Sequence, residues 1–404
     1  MTHLALVTAF PPSQGSLNEY GFHLAMALAK RPDVTRLTII GDFCVAPTNE
    51  LHLPDKIEVR RVWSFGQKTT ALKIASAVRK ARPDGVIFNL QTASFGGSEI
   101  PAALGLFSPM ITRLLGFRTG VICHNLIDAI ELDKTVIGDS FLRKQLVKIA
   151  AKVVTRVLLC ANYVTVTLDG FADILEKKYR SKNTYLVPHG TFPAPKFDTQ
   201  RMKQRDLIVS TMGKFGTYKK LDRLISAFKL VASKHPKLSL KLKIGGTDHP
   251  AAEGYIEKLS KKYTHDPAIS FEGYVEEEKV ADFFASSRLA VFDYDATTGS
   301  SGVLHQAAGF GTPAAYPLIG DFIDVTEREG LIGFHYQPFD VESLAEAIEE
   351  ALLNAEKAEQ IVQSNLIVSN ALPMDTVAAF HAEMLSPQRK RPLKLRDHNK
   401  LNFA

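Results

Sequence analysis

Two successive Rossmann-like α/β halves are the fold class this sequence predicts, and three observations predict it. Short apolar strand candidates alternate with helical stretches, the pattern of βαβ units and a parallel sheet. The alternation pauses near Tyr185-Leu186-Val187-Pro188-His189-Gly190 and then restarts at residue 207. In each half a strand runs through a Gly/Ser loop into a helix, the arrangement by which open α/β sheets hold ligands at their carboxyl ends. A chain of 404 residues suits two such cores better than one.

Taken in order, residues 4–8 form the first strand candidate. The loop Phe10-Pro11-Pro12-Ser13-Gln14-Gly15-Ser16 follows, then a helix over 19–30 whose buried face is Leu24, Ala25 and Leu28. Apolar strands recur at 37–40, 86–88, 120–123 and 163–166. Residues 191–203 are Pro-bearing and weakly periodic, which places the interdomain linker there. The second half reads as strand 207–212, helix 221–233, strand 238–244, helix 253–263, strand 269–271, helix 277–285 and strand 289–292, with later helices at 342–353 and 358–369. The expected division is 1–190 for a first domain, 191–365 for a second, 366–388 for a terminal helix packing back on the first, and 389–404 for a basic tail. Two such sheets are expected to face each other across a ligand-binding cleft.

Composition narrows the class. Hydrophobic residues make up 45% and charged residues 23%, the balance of a globular protein. Cys44, Cys123 and Cys160 are odd in number and lack metal-ligand spacing, so neither a disulfide framework nor a zinc site is expected. The start lacks a basic, then apolar leader, and no apolar run reaches bilayer length, so the expectation is a cytoplasmic protein. The net charge of +6 would suggest nucleic acid were it spread over the folded body. However, Arg389, Lys390, Arg391, Lys394, Arg396 and Lys400 against Asp397 place five of those charges in the last sixteen residues. No nucleic-acid partner is expected.

The turn within LAVFDYDATTGSSGVLHQAAGFGTPAAY, residues 289–316, carries the first chemical reading. Helix-start N–H groups lack intrahelical partners and sit at the positive dipole end, so Ser301, Gly302 and Val303 could cradle an anion. The plainer reading makes Thr298, Ser300 or Ser301 an N-cap. A second cluster lies in Gly213-Lys214-Phe215-Gly216-Thr217-Tyr218-Lys219-Lys220-Leu221, where cations at a helix start oppose the macrodipole unless an anion is nearby. Asp293-Tyr294-Asp295 could hold a divalent cation. With lysines already supplying countercharge, these aspartates read as turn residues or acceptors for ligand hydroxyl groups, and no metal is expected.

The lysine segment and its helix Asp222-Arg223-Leu224-Ile225-Ser226-Ala227-Phe228 resemble the start of the second domain in the retaining glycosyltransferases of family four. Phe271-Glu272-Gly273-Tyr274-Val275, Ala161-Asn162-Tyr163-Val164-Thr165-Val166-Thr167, Val187-Pro188-His189-Gly190 and the loop with Gly15 and Ser16 resemble further segments of that family in the same order. The resemblance implies a GT-B fold and a nucleotide-diphosphate sugar donor (UDP-, GDP- or ADP-sugar) with no tightly bound cofactor. It also implies transfer with retention to a hydroxyl-bearing saccharide or lipid-linked saccharide. On that footing Lys214 and Lys219 would stabilise the leaving diphosphate, and His124 would touch the donor sugar. Gly15, Ser16, Gly273, Tyr274, Thr298, Ser301, Gly302, Val303 and Gln306 would line the donor site. One departure matters: the family carries two glutamates eight positions apart, and Thr298 and Gln306 stand in their places. A GT-B sugar-nucleotide epimerase and an inactive partner subunit are the alternatives.

Residues 141–159, FLRKQLVKIAAKVVTRVLL, set Lys144, Lys148, Lys152 and Arg156 at four-residue spacing, with Leu142, Leu146, Ile149, Val153 and Val157 on another face. A helix packed through its apolar face, with a solvated basic edge, is the expectation. An interfacial helix on an anionic membrane is its rival, as residues 100–115 of the same half are also apolar.

Overall fold

The computed structural model describes residues 2–44, 52–126, 141–193 and 202–386. The basic tail lies outside them. Two compact units result: among the described residues, the first holds those up to Gly190 and from Pro373 onward, the second those from Thr191 to Leu372.

The first unit runs β1 (Thr2–Val7), α1 (Asn18–Lys30), β2 (Val34–Asp42), β3 (Ile57–Trp63), α2 (Thr70–Ala81), β4 (Gly85–Leu90), α3 (Glu99–Gly105) and α4 (Ser108–Leu114). It continues through β5 (Arg118–Cys123), α5 (Phe141–Leu158), β6 (Tyr163–Val166), α6 (Asp169–Lys177) and β7 (Thr184–Leu186). Its seven strands are parallel in the order β3-β2-β1-β4-β5-β6-β7. Helices cover both faces of such a sheet, so central strands are apolar throughout. Every residue of β4 is buried. By contrast β3, IEVRRVW, is only half-buried, an edge strand whose charged residues hide it from an apolar-run reading.

The second unit runs β8 (Ile208–Phe215), α7 (Asp222–Lys234), β9 (Lys241–Asp248), α8 (Tyr255–Lys262), β10 (Ile269–Gly273), α9 (Glu277–Ala285), β11 (Leu289–Val291) and α10 (Gly302–Gly309). Then come β12 (Ala314–Ala315), α11 (Asp321–Asp324), α12 (Val341–Leu353) and α13 (Ala355–Ala371). Its five parallel strands are ordered β10-β9-β8-β11-β12. Val209, Phe228, Leu242, Ile244, Val291, Leu344 and Ile348 belong to one buried core that joins α7 and α12 to the sheet. The side on which successive strands are added reverses between β1 and β4 in the first sheet, and between β8 and β11 in the second. Those are the switch points where open sheets bind ligands.

Two strand ends differ from the sequence expectation. β8 runs three residues past 212, pairing Lys214 with Thr247 and Phe215 with Asp248. β9 runs from 241 to 248 rather than 238 to 244, because Leu238 is exposed while Gly245 and Gly246 stay in the sheet. Gly246 has φ +132°, and a Cβ there would lie 1.9 Å from the Gly213 carbonyl oxygen. Gly246, which looks like a loop residue, is what lets β9 close on β8, while Gly245 makes room for Val275 and Phe283.

The last helix, α14 (Met374–Leu385), packs in the first unit against α1 and β5. Its buried His381 Nδ1 lies 2.9 Å from the Tyr163 hydroxyl on β6.

The expectation for α5 is corrected. Ala151, Val154, Thr155, Val157 and Leu158 are its buried side, whereas Ile149 (58% exposed) and Val153 (47%) point outward beside the exposed Lys148, Lys152 and Arg156. The side chains of Leu142, Lys144 and Leu146 lie outside the described residues.

Candidate functional site

The carboxyl edge of the second sheet gathers most of the expected residues. Lys214 is the penultimate residue of β8, and the turn after it is closed by the Gly216 N–H donating to the Lys219 carbonyl at 2.8 Å. Lys219 then bridges to Tyr294, beyond β11, as an isolated antiparallel pair. The Lys219 ammonium sits 4.4 Å from the centre of the Tyr294 ring and 5.7 Å from that of Tyr218. Burial works against its charge, but the neighbouring Tyr294 and Tyr218 outweigh that and the Lys219 pKa is raised.

Lys220 behaves differently. It is exposed, and its ammonium lies 3.4 Å from Asp295. The Asp-x-Asp reading is corrected at the same place. Asp293 is buried and accepts from Arg223 Nε (3.0 Å), Arg223 Nη2 (2.8 Å) and the Tyr336 hydroxyl (2.9 Å). Arg223 Nη2 also donates to Asp295 at 2.9 Å. These carboxylates hold α7 to the end of β11, a role the turn reading did not include.

The sequence reading missed His249, which follows β9 and donates its N–H to the Phe215 carbonyl at 2.7 Å. Burial first, then the charges of Lys214 and Lys219, push its pKa below the ordinary histidine value. Its only trace in sequence is its place after β9, which the Gly245-Gly246 pair concealed.

The turn into α10 is fastened to the lysine loop and to α11. The Tyr218 hydroxyl is 3.0 Å from Thr298 Oγ1, and the Asp295 N–H donates to the Tyr218 carbonyl at 2.7 Å. The Gly299 N–H donates to Asp321 Oδ2 (2.6 Å), and the Asp321 N–H donates back to Thr297 Oγ1 (2.7 Å). Ser301 occupies the N-cap position in the left-handed region, φ 57°, yet its side chain makes no capping bond, so the plain N-cap reading fails. The N–H groups of Leu304 and His305 go to the Ser301 carbonyl. Among the described residues, the N–H groups of Ser301, Gly302 and Val303 have no backbone acceptor, as at any helix start.

His305, one turn into α10, keeps that cap in place. Its Nδ1 lies 3.1 Å from the Ser301 carbonyl and its Nε2 lies 2.8 Å from Glu329 Oε2. Both partners accept, so the protonated ring, with a donor on each nitrogen, is the form these contacts favour. Burial opposes the charge, but Glu329 and the Ser301 carbonyl raise the His305 pKa above its ordinary value. Gln306 beside it is buried (4% exposed). Gly273 ends β10 with φ +69°, next to Gly245 of β9 on the same edge, and Tyr274 follows it.

In the first unit His124 follows β5 and is buried. Its Nε2 is 2.7 Å from Asn89 Oδ1, and Asn89 Nδ2 donates to Thr8 Oγ1 at 3.0 Å. Thr8 spends its own proton on the Ala9 carbonyl, so Asn89 must present its oxygen to His124 and Nε2 carries the proton. Burial pushes the His124 pKa down to about 3. The ring is a neutral hydrogen-bonding group, which narrows the expectation that it might polarise a reacting centre. Tyr20 packs edge-on against it at 4.4 Å. Ser16 is exposed. Gly15 serves its own loop, where a Cβ would fall 2.7 Å from Ala9 Cβ and 2.9 Å from Asp42 Oδ2.

Residues 195–365 match the family described as glycosyl transferases group 1. Over 189 residues the chain is 25% identical to mannosylfructose-phosphate synthase of Agrobacterium fabrum (strain C58), a match covering 43% of this chain and 41% of that protein. Among solved structures, sucrose-phosphate synthase of Thermosynechococcus elongatus superposes with a TM-score of 0.67 at 18% identity, over 95% of this chain and 98% of that one. HepE of Anabaena in complex with UDP-glucose gives 0.66 at 15% identity, over 95% and 99%. These structural likenesses establish the fold: two parallel sheets of the GT-B type.

Proposed function

With a glycosyl transferases group 1 domain over residues 195–365 as the premise, we propose that this chain transfers a sugar from a nucleotide-diphosphate donor to a hydroxyl-bearing acceptor, with retention. The observation that carries the reading is the joining of Lys219, Thr298 and the α10 start at the switch point of the second sheet, through the Tyr218–Thr298 and Lys219–Tyr294 contacts. As the glycosidic bond breaks, the diphosphate gains negative charge. Lys214, Lys219 and the N–H groups of Ser301, Gly302 and Val303 stabilise it without moving, which is how fixed dipoles and cations lower such barriers.

The two positions where the related transferases carry glutamates remain usable for hydrogen bonds. Thr298 offers a hydroxyl beside Tyr218, and Gln306 an amide on α10 for the ribose. Gly273 ends β10 and Tyr274 follows it, on the edge of the second sheet where the base would lie; Gly15, Ser16 and His124 are the first unit's own candidate sugar-binding positions. A hexose is the proposed group transferred, and a saccharide or lipid-linked saccharide the proposed acceptor.

The test is incubation with UDP-, GDP- and ADP-sugars, beginning with UDP-glucose because HepE is seen bound to it. Slow release of free nucleoside diphosphate is the expected result. Conversion to a different sugar nucleotide would instead identify an epimerase, and absence of binding to every donor would identify an inert partner subunit.

A further inference from the structure

On the first unit, α2, α4 and α5 contain no aspartate or glutamate, although Lys73, Arg79, Lys80, Arg113, Lys148, Lys152 and Arg156 lie on them. The three pack in sequence, α2 on α4 and α4 on α5. Their outward side chains are not only basic. Leu72 is 66% exposed, Leu114 77%, Ile149 58% and Val153 47%. An open groove of ≈ 790 Å³ runs between α2 and α4, with Leu72, Ile111 and Leu115 as its apolar lining and Arg79, Lys80 and Arg82 among its cations. Isolated exposed apolar residues are ordinary, but apolar side chains interleaved with cations along three adjoining helices that lack carboxylates are not.

We propose that this face is a docking surface for an anionic lipid bilayer. Charge complementarity selects that occupant: the helices carry cations only, so an anionic headgroup layer is attracted while Ile149, Val153, Leu114 and Leu72 enter the acyl boundary. Among the described residues no helix is long and apolar enough to cross a membrane, so the association is peripheral. The proposal is independent of the donor chemistry, because vesicle binding is read without any sugar nucleotide.

The experiment is co-sedimentation of the full chain with vesicles of phosphatidylcholine alone and of equal parts phosphatidylcholine and phosphatidylglycerol. Binding to the anionic vesicles at low salt, little to the neutral ones, and release at about 0.5 M salt are expected. Lys148→Gln and Lys152→Gln should each weaken partition about fivefold. The exposed pair Ile149→Ser with Val153→Ser should weaken it at least about tenfold, with an unchanged melting curve. Absence of wild-type binding would overturn the proposal. So would binding that the α5 changes leave intact but that disappears when Arg389, Lys390, Arg391 and Lys394 are all changed to Gln. Lipid-free dimerisation abolished by the Ile149 and Val153 changes would assign the face to a second copy instead.

Discussion

At the scale of single residues, adjacent lysines separate by what surrounds them. Lys219 lies across Gly213, with its ammonium 3.7 Å from where a Cβ would stand, and faces the aromatic rings. Lys220 is already neutralised by Asp295 at the surface. Lys219→Ala should therefore lower the rate of nucleoside-diphosphate release by about 10²-fold to 10³-fold, and Lys220→Ala by no more than about twofold. Equal small losses would remove Lys219 from the chemistry. His305 makes a prediction in pH. Its folded pKa is raised, so its bonds to Glu329 and the Ser301 carbonyl contribute fully below the unfolded value near 6.5 and are lost as pH rises through the folded one. Thermal melts from about pH 6 to about pH 8.5 should show falling stability that Glu329→Gln moves to lower pH. A Glu329→Gln curve that overlays wild type would show that the pair does not hold the cap.

At the scale of elements, the β8–β9 pair sets the distance between the lysine loop and His249. Gly246 approaches Gly213 too closely for any side chain and has a backbone conformation that other residues rarely adopt. Gly246→Ala should cost roughly 2–4 kcal/mol, seen as a lower midpoint in urea. A Gly254→Ala control, at φ +82° but with nothing within 4 Å of its Cβ, should cost less. Comparable midpoints would mean that backbone strain, and not the contact with Gly213, is the limiting term.

At the scale of the whole molecule, the chain returns after the second unit to place α14 in the first. It carries His381 into the first unit, where His124 is also buried, and both have pKa values pushed down to about 3, chiefly by burial. A basic group whose folded pKa is depressed destabilises the fold once the unfolded chain can take up the proton. The contribution of these two histidines should therefore be level above about pH 6.5 and become increasingly unfavourable as pH falls toward about 4. Urea unfolding across that range should show the slope, and His381→Gln should reduce it by about one proton. An unaltered slope would place the acid sensitivity elsewhere.

Much of this protein was readable from its residues, for a definite reason. Strand–helix alternation, the Gly/Ser loops and the lysine segment are local patterns, since burial on both faces of a parallel sheet needs continuous apolar runs and a helix needs its own period. These determined two parallel sheets, the place where the second begins, and the candidate cradle at residues 301–303. Where neighbours distant in sequence decide, the residues are silent. Nothing local says that Gly245 and Gly246 stay in a strand, that Asp293 belongs to Arg223, or that His249 joins the lysines, because each depends on a strand or helix arriving from elsewhere. The same holds for α5, whose periodicity shows an apolar face and a basic face. Only packing against the rest of the first unit decided that Ala151, Val154 and Val157 turn inward while Ile149 and Val153 stand among the lysines, because a helix of this composition can bury either side and the shape of its neighbours selects one.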